Sequence, residues 1–275
     1  MVKKKVLILG SSGFLGQYLS IALKDNFKLF LSHNKQKRKI IDITKEKKLF
    51  DFLKKKKIDI ILNLTGQINK NYLKFKKVSI SGNKNLINFA KDNNILNIFF
   101  SSDQVYGSSN HIFNEKSKLK PILNYGKIKK RVESMYIKSQ TNFLIIRISN
   151  VYDTNFKKRG FLNNLANYFE TKNNLFILNH SDLLRNFIHI DDFCIIIKNL
   201  LLIKKNQHKI LNVSHQNLYL IKIIKMLESS YKKKISIIIK NKKIIPLKIE
   251  VDNKLIIKIL KYKFKKDLKE CLIQN

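Results

Sequence analysis

The sequence predicts an α/β fold in which a parallel sheet is covered by helices on both faces. In the first half of the 275-residue chain, short apolar runs alternate with amphipathic stretches. The runs are continuously apolar rather than alternating, which is typical of strands buried on both faces of a parallel sheet. A glycine-containing turn joins the first apolar run to the first amphipathic stretch, as in doubly wound sheets of the Rossmann type.

Each element follows from this alternation. The predicted strands of the sheet are Lys5–Leu9, Lys28–Leu31, Ile58–Leu64, Ile98–Ser101 and Phe143–Ile148. The predicted helices of the same region are Leu15–Leu23, Lys45–Lys55, Ile80–Asp92 and Tyr125–Ser139. The pattern then loosens, and the later predictions are helices at Leu162–Thr171, Asp191–Leu202, Leu220–Ser229 and Lys254–Leu260 and a strand at Ile235–Ile239. We therefore assign residues 1–150 and 186–213 to the doubly wound, dinucleotide-binding domain, and residues 151–185 and 214–275 to a smaller, interleaved C-terminal part that binds substrate.

The composition is that of a globular protein from a reducing compartment. Hydrophobic residues make up 44% of the chain, enough for a sizeable core. Two cysteines, Cys194 and Cys271, cannot build a disulfide framework, and no Cys/His cluster indicates a metal site. The first apolar run stops at Gly10, short of the roughly seven residues of the shortest secretory core. No apolar stretch reaches the roughly 18 residues of a membrane helix, so we expect a cytoplasmic protein without a membrane partner.

The net charge of +37 has two interpretations. Arg occupies only five positions, and the other basic residues are lysines spread along the whole chain. Lys, Asn and Ile are encoded by A/T-rich codons, so base composition alone accounts for the charge. The alternative is a nucleic-acid binder that neutralises phosphates, but no motif accompanies the charge, and we expect no specific nucleic-acid partner. Where lysine is so common, a retained Arg indicates a need for the planar guanidinium fork.

A glycine triplet follows the first strand and opens the first helix. It reads Gly10-Ser11-Ser12-Gly13-Phe14-Leu15-Gly16 in a chain with only eight glycines. Glycines at this place let the backbone turn tightly and bring N–H groups against a pyrophosphate at a helix N-terminus. The spacing is GxxGxxG and not the common GxGxxG. The turn predicts a bound dinucleotide; the alternative is a tight turn without a ligand.

The end of the second strand bears on the choice of cofactor. An acid is expected there, about 20 residues after the glycines, to hold the adenosine ribose, but the chain reads Leu31-Ser32-His33-Asn34-Lys35, with Lys37 and Arg38 following. Without a carboxylate to repel a 2′-phosphate, the choice between NAD and NADP tilts towards NADP. Asp42 could accept a hydrogen bond from the adenine amino group; the alternative is an exposed loop aspartate.

Tyr125 and Lys129 lie four residues apart, on one face of a predicted helix. Hydride transfer at a carbinol needs one group that exchanges the hydroxyl proton and another that holds the oxygen. The Lys129 ammonium and a positively charged nicotinamide ring would both favour the Tyr125 phenolate, lowering a pKa that starts near ~10. Tyr125 would exchange the proton. The alternative is a surface tyrosine beside a solvated lysine.

Context distinguishes Tyr125 from the three other tyrosines that precede a lysine by four residues, Tyr72, Tyr168 and Tyr262. Only Tyr125 follows, after about twenty residues, an apolar strand that ends in two serines, Ser101 and Ser102. This strand is the fourth of the parallel series, so its carboxyl end opens onto the crevice where a dinucleotide lies. Ser102 can donate to the substrate oxygen there.

These segments together resemble the extended short-chain dehydrogenases, also called the NAD-dependent epimerase/dehydratase family, in their nucleotide-sugar branch. The matching segments are the glycine turn and residues 63–66 (NLTG), 101–107 (SSDQVYG), 125–129 (YGKIK), 147–152 (RISNVY), 185–192 (RNFIHIDD), 210–213 (ILNV) and 251–264. The departures are Ser79, where the family often has Asn, the stretch 179–182 in place of a glycine-rich turn, and a short C-terminal part.

The resemblance implies a role for each motif residue. It implies a catalytic triad of Ser102, Tyr125 and Lys129. For the cofactor it implies Gly10, Ser12, Gly13, Phe14, Leu15, Gly16, Asp42 and Leu64, with Lys129 also on the nicotinamide ribose. For the substrate it implies Asp103, Asn150 and Arg185, the last two on the diphosphate of a nucleotide sugar. The alternative for Arg185 is a salt bridge with Asp191 or Asp192, and we interpret His189 as structural.

The expected reaction is 4-epimerisation or reduction of a 4-keto sugar by a homodimer. The family's 4,6-dehydratases have two acids directly after the catalytic hydroxyl, whereas this chain has Asp103 and then Gln104. Because an amide has no useful basicity near neutral pH, we expect no elimination of water. The alternative function is a binding protein that senses NAD(P) without turnover.

Overall fold

The structure is a computed structural model that describes residues 2–34, 39–66, 72–154, 161–171, 175–178, 183–203, 208–240 and 247–273. Its strands are β1 (Lys5–Leu9), β2 (Lys28–Leu31), β3 (His33–Asn34), β4 (Lys39–Ile40), β5 (Ile60–Asn63), β6 (Leu96–Ser102), β7 (Phe143–Ile148), β8 (Asn150–Tyr152), β9 (Leu175–Leu178), β10 (Leu184–His189), β11 (Ile210–Val213), β12 (Gln216–Tyr219) and β13 (Ser236–Ile239). Its helices are α1 (Phe14–Leu23), α2 (Glu46–Lys56), α3 (Tyr72–Lys91), α4 (Asn124–Lys138), α5 (Phe161–Glu170), α6 (Ile190–Leu202), α7 (Leu220–Ser230), α8 (Lys254–Leu260) and α9 (Leu268–Ile273).

Six parallel strands form the main sheet, in the order β11-β7-β6-β5-β1-β2. The order reverses around β1, because β2 lies on one side of it and β5, the next strand of this sheet along the chain, lies on the other. In open α/β sheets a crevice forms at such a switch point, outside the carboxyl ends of the strands. The fold class predicted from the sequence is confirmed, and β6 is the fourth strand of the sheet in chain order, as predicted.

Both faces of the main sheet are covered. On one face, α1 and α6 pack against the strands in a core that includes Leu19, Phe193 and Ile197. On the other face, α2, α3 and α4 cover the sheet through side chains such as Leu53, Leu86 and Val132. The strands carry apolar side chains in succession because each of their faces is buried, which is the pattern that predicted them.

A second, smaller assembly contains the later part of the chain. In a three-stranded sheet of order β12-β10-β8, β10 runs parallel to β8 and antiparallel to β12. A separate core forms between α5, α7 and α9 around Phe187, Ile223 and Leu268. β10 therefore has strands on both sides, which fixes the positions of its side chains. The assignment of residues to a cofactor domain and a substrate part stays a prediction.

The differences from the predicted elements have a common cause. The helix predicted to begin at Ile80 begins at Tyr72, because Phe75 is buried while lysines dilute the apolar pattern of its first turns. The strand predicted from Ile58 begins at Ile60. The short strands β3, β4, β8, β9, β10 and β12 and helix α9 were not predicted. Pairing with distant parts of the chain defines these elements, and each is too short to show a clear periodicity of apolar residues.

Two further features concern ligands and membranes. None of the helices in the described ranges combines the length and the apolar character needed to cross a membrane. Within the same ranges, no three His, Cys, Asp or Glu side chains cluster so that they could hold a metal ion.

Candidate active site

The glycine turn lies at the switch point of the main sheet. Gly10 follows β1 with φ +79°, a conformation that favours glycine, and a Cβ there would lie 3.2 Å from the carbonyl of Leu64. A Cβ on Gly16 would collide with the carbonyl oxygen of Gly10. The first and third glycines therefore allow a sharp turn and close packing of α1 on β1, and they bring Leu64, the residue after β5, against the turn.

The N-terminus of α1 fits the pyrophosphate of a dinucleotide. Gly13 is the N-cap residue, and no side-chain hydrogen bond caps the helix among the described residues. The N-terminal N–H groups of a helix carry partial positive charge and bind phosphate oxygens. Ser12 and Gly13 are exposed, whereas Phe14 and Leu15 are half-buried against the core. Of the predicted cofactor residues of this turn, Ser12 and Gly13 are therefore the exposed ones, whereas Gly16 is buried.

Ser32 holds the glycine turn from the end of β2. Its Oγ accepts a hydrogen bond from the Gly10 N–H at 3.0 Å, and the Ser11 Oγ accepts one from the His33 N–H at 3.1 Å. The residue at the place of the expected acid thus supports the turn, a role that the sequence did not reveal. Lys35, Lys37 and Arg38 lie outside the described residues, so the tilt towards NADP stays a prediction.

Asp42 forms a local turn with Thr44. The Asp42 Oδ1 accepts hydrogen bonds from the Thr44 N–H at 2.9 Å and from the Thr44 hydroxyl at 2.7 Å. Burial would raise the pKa of Asp42, but the two hydrogen bonds from Thr44 and the charges of Lys45 and Lys77 together lower the pKa below 3.8. The next residue, Ile43, is fixed to α3 because its carbonyl accepts from the Asn85 amide at 2.9 Å. Asp42 is an exposed, ionised acceptor, and its contact with adenine stays a prediction.

Ser102 and Asp103 lie at the carboxyl end of β6, where the strand passes into a 3₁₀ turn. The Ser102 hydroxyl donates to the Asp103 Oδ1 at 3.0 Å and accepts from the Gln104 N–H at 3.2 Å. The Asp103 Oδ2 accepts from the Asn186 amide of β10 at 2.7 Å. All three of Ser102, Asp103 and Asn186 are buried. The main sheet and the smaller sheet therefore meet at Asp103.

Burial raises the pKa of Asp103 above 3.8. The hydrogen bonds from Asn186 and Ser102 and the positive charge of Arg185 act in the opposite direction, but they do not cancel the effect of burial. Such a perturbed carboxyl group in a crevice is typical of functional sites.

Tyr125 and Lys129 lie one turn apart on α4, which packs against β6. The Tyr125 ring stacks on Phe75 of α3 with the ring centroids 5.5 Å apart. The Lys129 Nζ lies 5.6 Å from the centroid of the Tyr125 ring and donates to the Phe100 carbonyl at 2.7 Å. Burial lowers the pKa of Lys129 to about 8, and the nearby charge of Glu133 opposes this. The two residues are brought together as the spacing predicted.

The pKa of Tyr125 differs from the expectation. It is raised above 10, first by burial and then by the negative charge of Asp103. The expected lowering of the Tyr125 pKa depended on the Lys129 ammonium. This group lies over the face of the Tyr125 ring and donates to the Phe100 carbonyl. The chain by itself therefore favours the neutral phenol over the phenolate.

The predicted substrate residues lie around β10. The Asn150 amide donates to the Asn186 carbonyl at 3.0 Å. Arg185 is half-buried, and burial lowers its pKa against the opposing charge of Asp103. Asn150, Arg185 and Asp103 are thus assembled around Asn186, which the sequence analysis did not single out.

The alternative partners of Arg185 are engaged elsewhere. Asp192 accepts from the Tyr262 hydroxyl at 2.5 Å and from the Lys265 N–H at 3.1 Å. The Asp191 Oδ2 lies 3.5 Å from the His189 Nδ1, and the Asp191 N–H donates to the same nitrogen at 3.2 Å, so His189 is the N-cap residue of α6. The structural interpretation of His189 agrees with this contact. The aspartate whose charge acts on Arg185 is Asp103.

A buried ion pair lies below the site. Arg147 of β7 binds Glu133 of α4 with two nitrogens, Nη2 to Oε2 at 2.7 Å and Nε to Oε1 at 3.1 Å. The Ser101 hydroxyl donates to the same Oε1 at 2.5 Å. The sequence contained two signals for this pair: Arg147 is a retained arginine, and Glu133 lies one turn after Lys129. Neither signal showed that the two side chains meet.

A comparison with known proteins decides the family. The model of the NAD dependent epimerase/dehydratase family matches residues 6–214, from β1 to the end of the main sheet.

The chain belongs to the NAD-dependent epimerase/dehydratase family. It is an enzyme of the extended short-chain dehydrogenase type.

Individual proteins are similar to this chain in sequence or in fold. The GDP-6-deoxy-D-talose 4-dehydrogenase of Aggregatibacter actinomycetemcomitans is 26% identical over 208 residues, which are 72% of this chain and 70% of that protein. The dTDP-glucose 4,6-dehydratase of Bacillus anthracis, solved with NAD, superposes with a TM-score of 0.82 at 16% identity, covering 98% of this chain and 94% of the other. The UDP-glucose 4-epimerase of Thermotoga maritima, solved with UDP-glucose, gives 0.81 at 18% identity, with 98% and 96% covered.

Proposed function

We propose that this enzyme moves a hydride to or from C4 of a nucleotide-linked sugar, as a 4-epimerase or as a 4-keto-sugar reductase. The observation that carries the proposal is the convergence of Ser102, Tyr125 and Lys129 at the carboxyl end of β6, with an amide, Gln104, in the place of a second acid. The relative that acts on GDP-6-deoxy-D-talose is by its name a 4-dehydrogenase, which supports chemistry at C4.

Each residue has a defined part in this reaction. Tyr125 exchanges the proton of the C4 oxygen, and Ser102 holds that oxygen by a hydrogen bond. Lys129 is buried beside Tyr125 and places a positive charge near its ring. Bound NAD(P) supplies the hydride acceptor or donor. The glycine turn, Leu64 and Asp42 would hold the dinucleotide, and Lys129 would also bind its ribose.

The amide side chain of Gln104 argues against a 4,6-dehydratase. That reaction needs an acid for the departing C6 hydroxyl and a base for the C5 proton. Asp103 is an acid, but a Gln side chain only donates or accepts hydrogen bonds. We therefore expect no 4-keto-6-deoxy product from dTDP-glucose, GDP-mannose or UDP-N-acetylglucosamine in the presence of NAD.

The decisive experiment identifies the cofactor first and the reaction second. The purified enzyme is analysed by mass spectrometry for bound NAD or NADP, and the three nucleotide sugars are then assayed by NMR for epimers and for 4-keto-6-deoxy products. Retained NAD with a C4 epimer indicates an epimerase, whereas an enzyme that consumes NADPH with a 4-keto sugar is a reductase. Clear formation of a 4-keto-6-deoxy product would contradict the proposal. Cofactor binding without turnover of any of these sugars would favour the sensor instead.

Arg185 is the proposed ligand of the substrate diphosphate, together with Asn150. Arg185→Lys keeps the charge but loses the fork that binds two phosphate oxygens, so we expect about tenfold weaker binding of the nucleotide sugar, of the order of 1.4 kcal/mol. Isothermal titration with the nucleotide sugar measures the change, and titration with the cofactor is the control. Unchanged substrate affinity would make Arg185 a structural residue.

Three further expectations belong to this proposal. The smaller sheet with its helices would form the substrate part, the enzyme would act in the cytoplasm, and it would form a homodimer. Light scattering on the purified protein measures the last of these directly.

A further inference from the structure

The only proton of the Ser102 hydroxyl is used within the protein. The hydroxyl donates it to the Asp103 Oδ1 at 3.0 Å and accepts from the Gln104 N–H at 3.2 Å. A hydroxyl has one proton and two lone pairs, so only one lone pair of Ser102 remains. In this arrangement Ser102 can accept a hydrogen bond from a substrate hydroxyl. It cannot donate one to a substrate ketone.

Asp103 is held in this position from its other side. The Asn186 amide donates to the Asp103 Oδ2 at 2.7 Å, and Asn186 is fully buried on β10. The neighbours β8 and β12 hold β10 on both edges. Asp103 therefore has little freedom to turn away from Ser102, and a change in its protonation is the simpler way to release the hydroxyl.

The orientation of Asn186 is consistent with an ionised Asp103. Its amide nitrogen faces the carboxylate, whereas its Oδ1 has no hydrogen-bond partner among the described residues. A protonated Asp103 could donate a hydrogen bond itself, and a reversed amide would then offer Oδ1 as the acceptor. The unpartnered oxygen leaves Asn186 able to face either form.

We propose, resting on the function proposed above, that Asp103 is a positioning residue that sets the direction of the Ser102 hydroxyl. As a carboxylate it takes the Ser102 proton, and Ser102 then accepts from the hydroxyl of an alcohol substrate. When Asp103 binds one proton from solvent, it no longer needs the Ser102 proton, and Ser102 donates to the oxygen of a ketone. The carboxylate thus favours the oxidation direction and the neutral acid favours reduction.

The surroundings of Asp103 keep both forms accessible. Burial disfavours the carboxylate and raises the pKa of Asp103, whereas the charge of Arg185 and the bonds from Asn186 and Ser102 favour the carboxylate. Tyr125 on α4 is also a titratable group close to Asp103, and the charge of Asp103 raises the pKa of Tyr125. Asp103 and Tyr125 therefore influence each other across the same crevice.

A test without substrate examines the Ser102–Asp103 pair itself. The protein is labelled with ¹³C at the aspartate carboxyl groups, and Asp103 is assigned by the signal lost in Asp103→Asn. We expect the Asp103 titration midpoint to lie above the usual ~3.9 and to rise further in Ser102→Ala, because one donor to the carboxylate is removed. Asp42, which is bonded by Thr44, serves as the internal control. An unchanged Asp103 midpoint in Ser102→Ala would overturn the proposal.

A kinetic test examines the direction of the hydroxyl. GDP-6-deoxy-D-talose is oxidised with NAD(P), and the corresponding 4-ketone is reduced with NAD(P)H, between pH 5 and pH 9. Above the Asp103 midpoint, reduction should fall by up to about tenfold per pH unit, and oxidation should approach its maximum. Asp103→Asn should remove the Asp103 titration step from both pH profiles, because an amide does not titrate. A change of about tenfold per pH unit in the ratio of the two rates remains, because oxidation of the alcohol releases one proton.

Two variants make the kinetic test specific. In a Ser102→Ala background, Asp103→Asn should no longer change the shape of either pH profile. Asp51 is exposed on α2, and Asp51→Asn should keep the parent profiles. Equal loss of both rates in Asp103→Asn at every pH, with unchanged profile shapes, would mean that Asp103 is only structural. Absence of both reactions, together with no turnover of the three nucleotide sugars named above, would contradict the proposed function, while the NMR titration would still decide the Ser102–Asp103 pair.

Discussion

Two consecutive serines at the end of β6 donate to two different buried carboxylates. Because neighbouring residues of a strand point to opposite faces, Ser101 reaches Glu133 at 2.5 Å, and Ser102 reaches Asp103 at 3.0 Å. Glu133 is matched by the guanidinium fork of Arg147. Asp103 is instead bonded by the neutral amide of Asn186.

The contrast separates a buried acid that belongs to the scaffold, Glu133, from one that can change its charge, Asp103. The pair of Glu133 and Arg147 continues through the Arg147 Nη1, which donates to the Tyr106 hydroxyl at 2.9 Å, and Tyr106 donates to Asn212 at 2.6 Å. This network connects α4 and β7 to β11. If Glu133 loses its negative charge, the buried Arg147 guanidinium loses its counter-charge in this network. The hydrogen bonds to Asp103 come from the neutral Asn186 amide and the Ser102 hydroxyl. Burial therefore raises the pKa of Asp103, and the side chain can exist as a neutral, protonated acid.

The largest expected effect is a loss of unfolding free energy when Glu133 is changed. Glu133→Gln leaves the buried Arg147 without its counter-charge, and breaking a buried pair from one side costs about 3–5 kcal/mol of unfolding free energy. Chemical denaturation at pH 7 measures it. Glu46, exposed in the first turn of α2, provides the matched control Glu46→Gln, for which we expect about 0.5 kcal/mol or less. A loss for Glu133→Gln no larger than that of the control would mean that the ion pair does not stabilise the fold.

The second largest effect is the loss of turnover expected when Tyr125, on which the Asp103 charge acts, is changed. Tyr125 lies on α4 two turns before Glu133, and the charge of Asp103 acts on it. Tyr125→Phe removes the group that exchanges the proton, so we expect turnover to fall by at least about a hundredfold, or about 2.7 kcal/mol, with cofactor affinity kept. Steady-state kinetics and cofactor titration measure the two quantities.

The other tyrosines with the same spacing are the controls for this prediction. Tyr72→Phe and Tyr168→Phe change exposed side chains and should keep turnover. Tyr262→Phe removes the hydrogen bond to Asp192 and should lower stability while the folded fraction stays active. A hundredfold loss of turnover in any of these three would mean that the catalytic tyrosine was assigned wrongly.

The smallest expected effect is the change in unfolding free energy for Asp103→Asn, which should not be the loss expected for Glu133→Gln. The pKa of Asp103 is raised in the folded chain above its ordinary 3.8, so the stability that its neutral form provides is present below about pH 3.8 and lost as pH rises through the raised pKa. Asp103→Asn at pH 7 should therefore leave the unfolding free energy unchanged or raise it by up to about 1 kcal/mol. Denaturation curves at pH 7 and pH 4 measure it, and a loss at pH 7 as large as that of Glu133→Gln would remove the distinction between the two acids.

The sequence was most informative where a short motif depends on local geometry. The glycine spacing predicted the turn at Gly10 because the conformation there favours glycine. The four-residue spacing placed Tyr125 and Lys129 on one helix face because a helix repeats every 3.6 residues. The order of strands and helices predicted the parallel sheet because both of its faces must be apolar.

The fold class, the glycine turn and the spacing of Tyr125 and Lys129 were readable from the amino-acid sequence, because each depends on neighbours within a few residues. Tertiary packing was needed to show that Asn186 bonds Asp103 across 83 positions of the chain, and that Glu133 pairs with Arg147 and not with another cation. It also decided that the pKa of Tyr125 is raised, because burial depends on what packs around the ring. A charge or an amide in the sequence has no fixed partner; the partner is chosen when distant strands come together and exclude water from the groups between them.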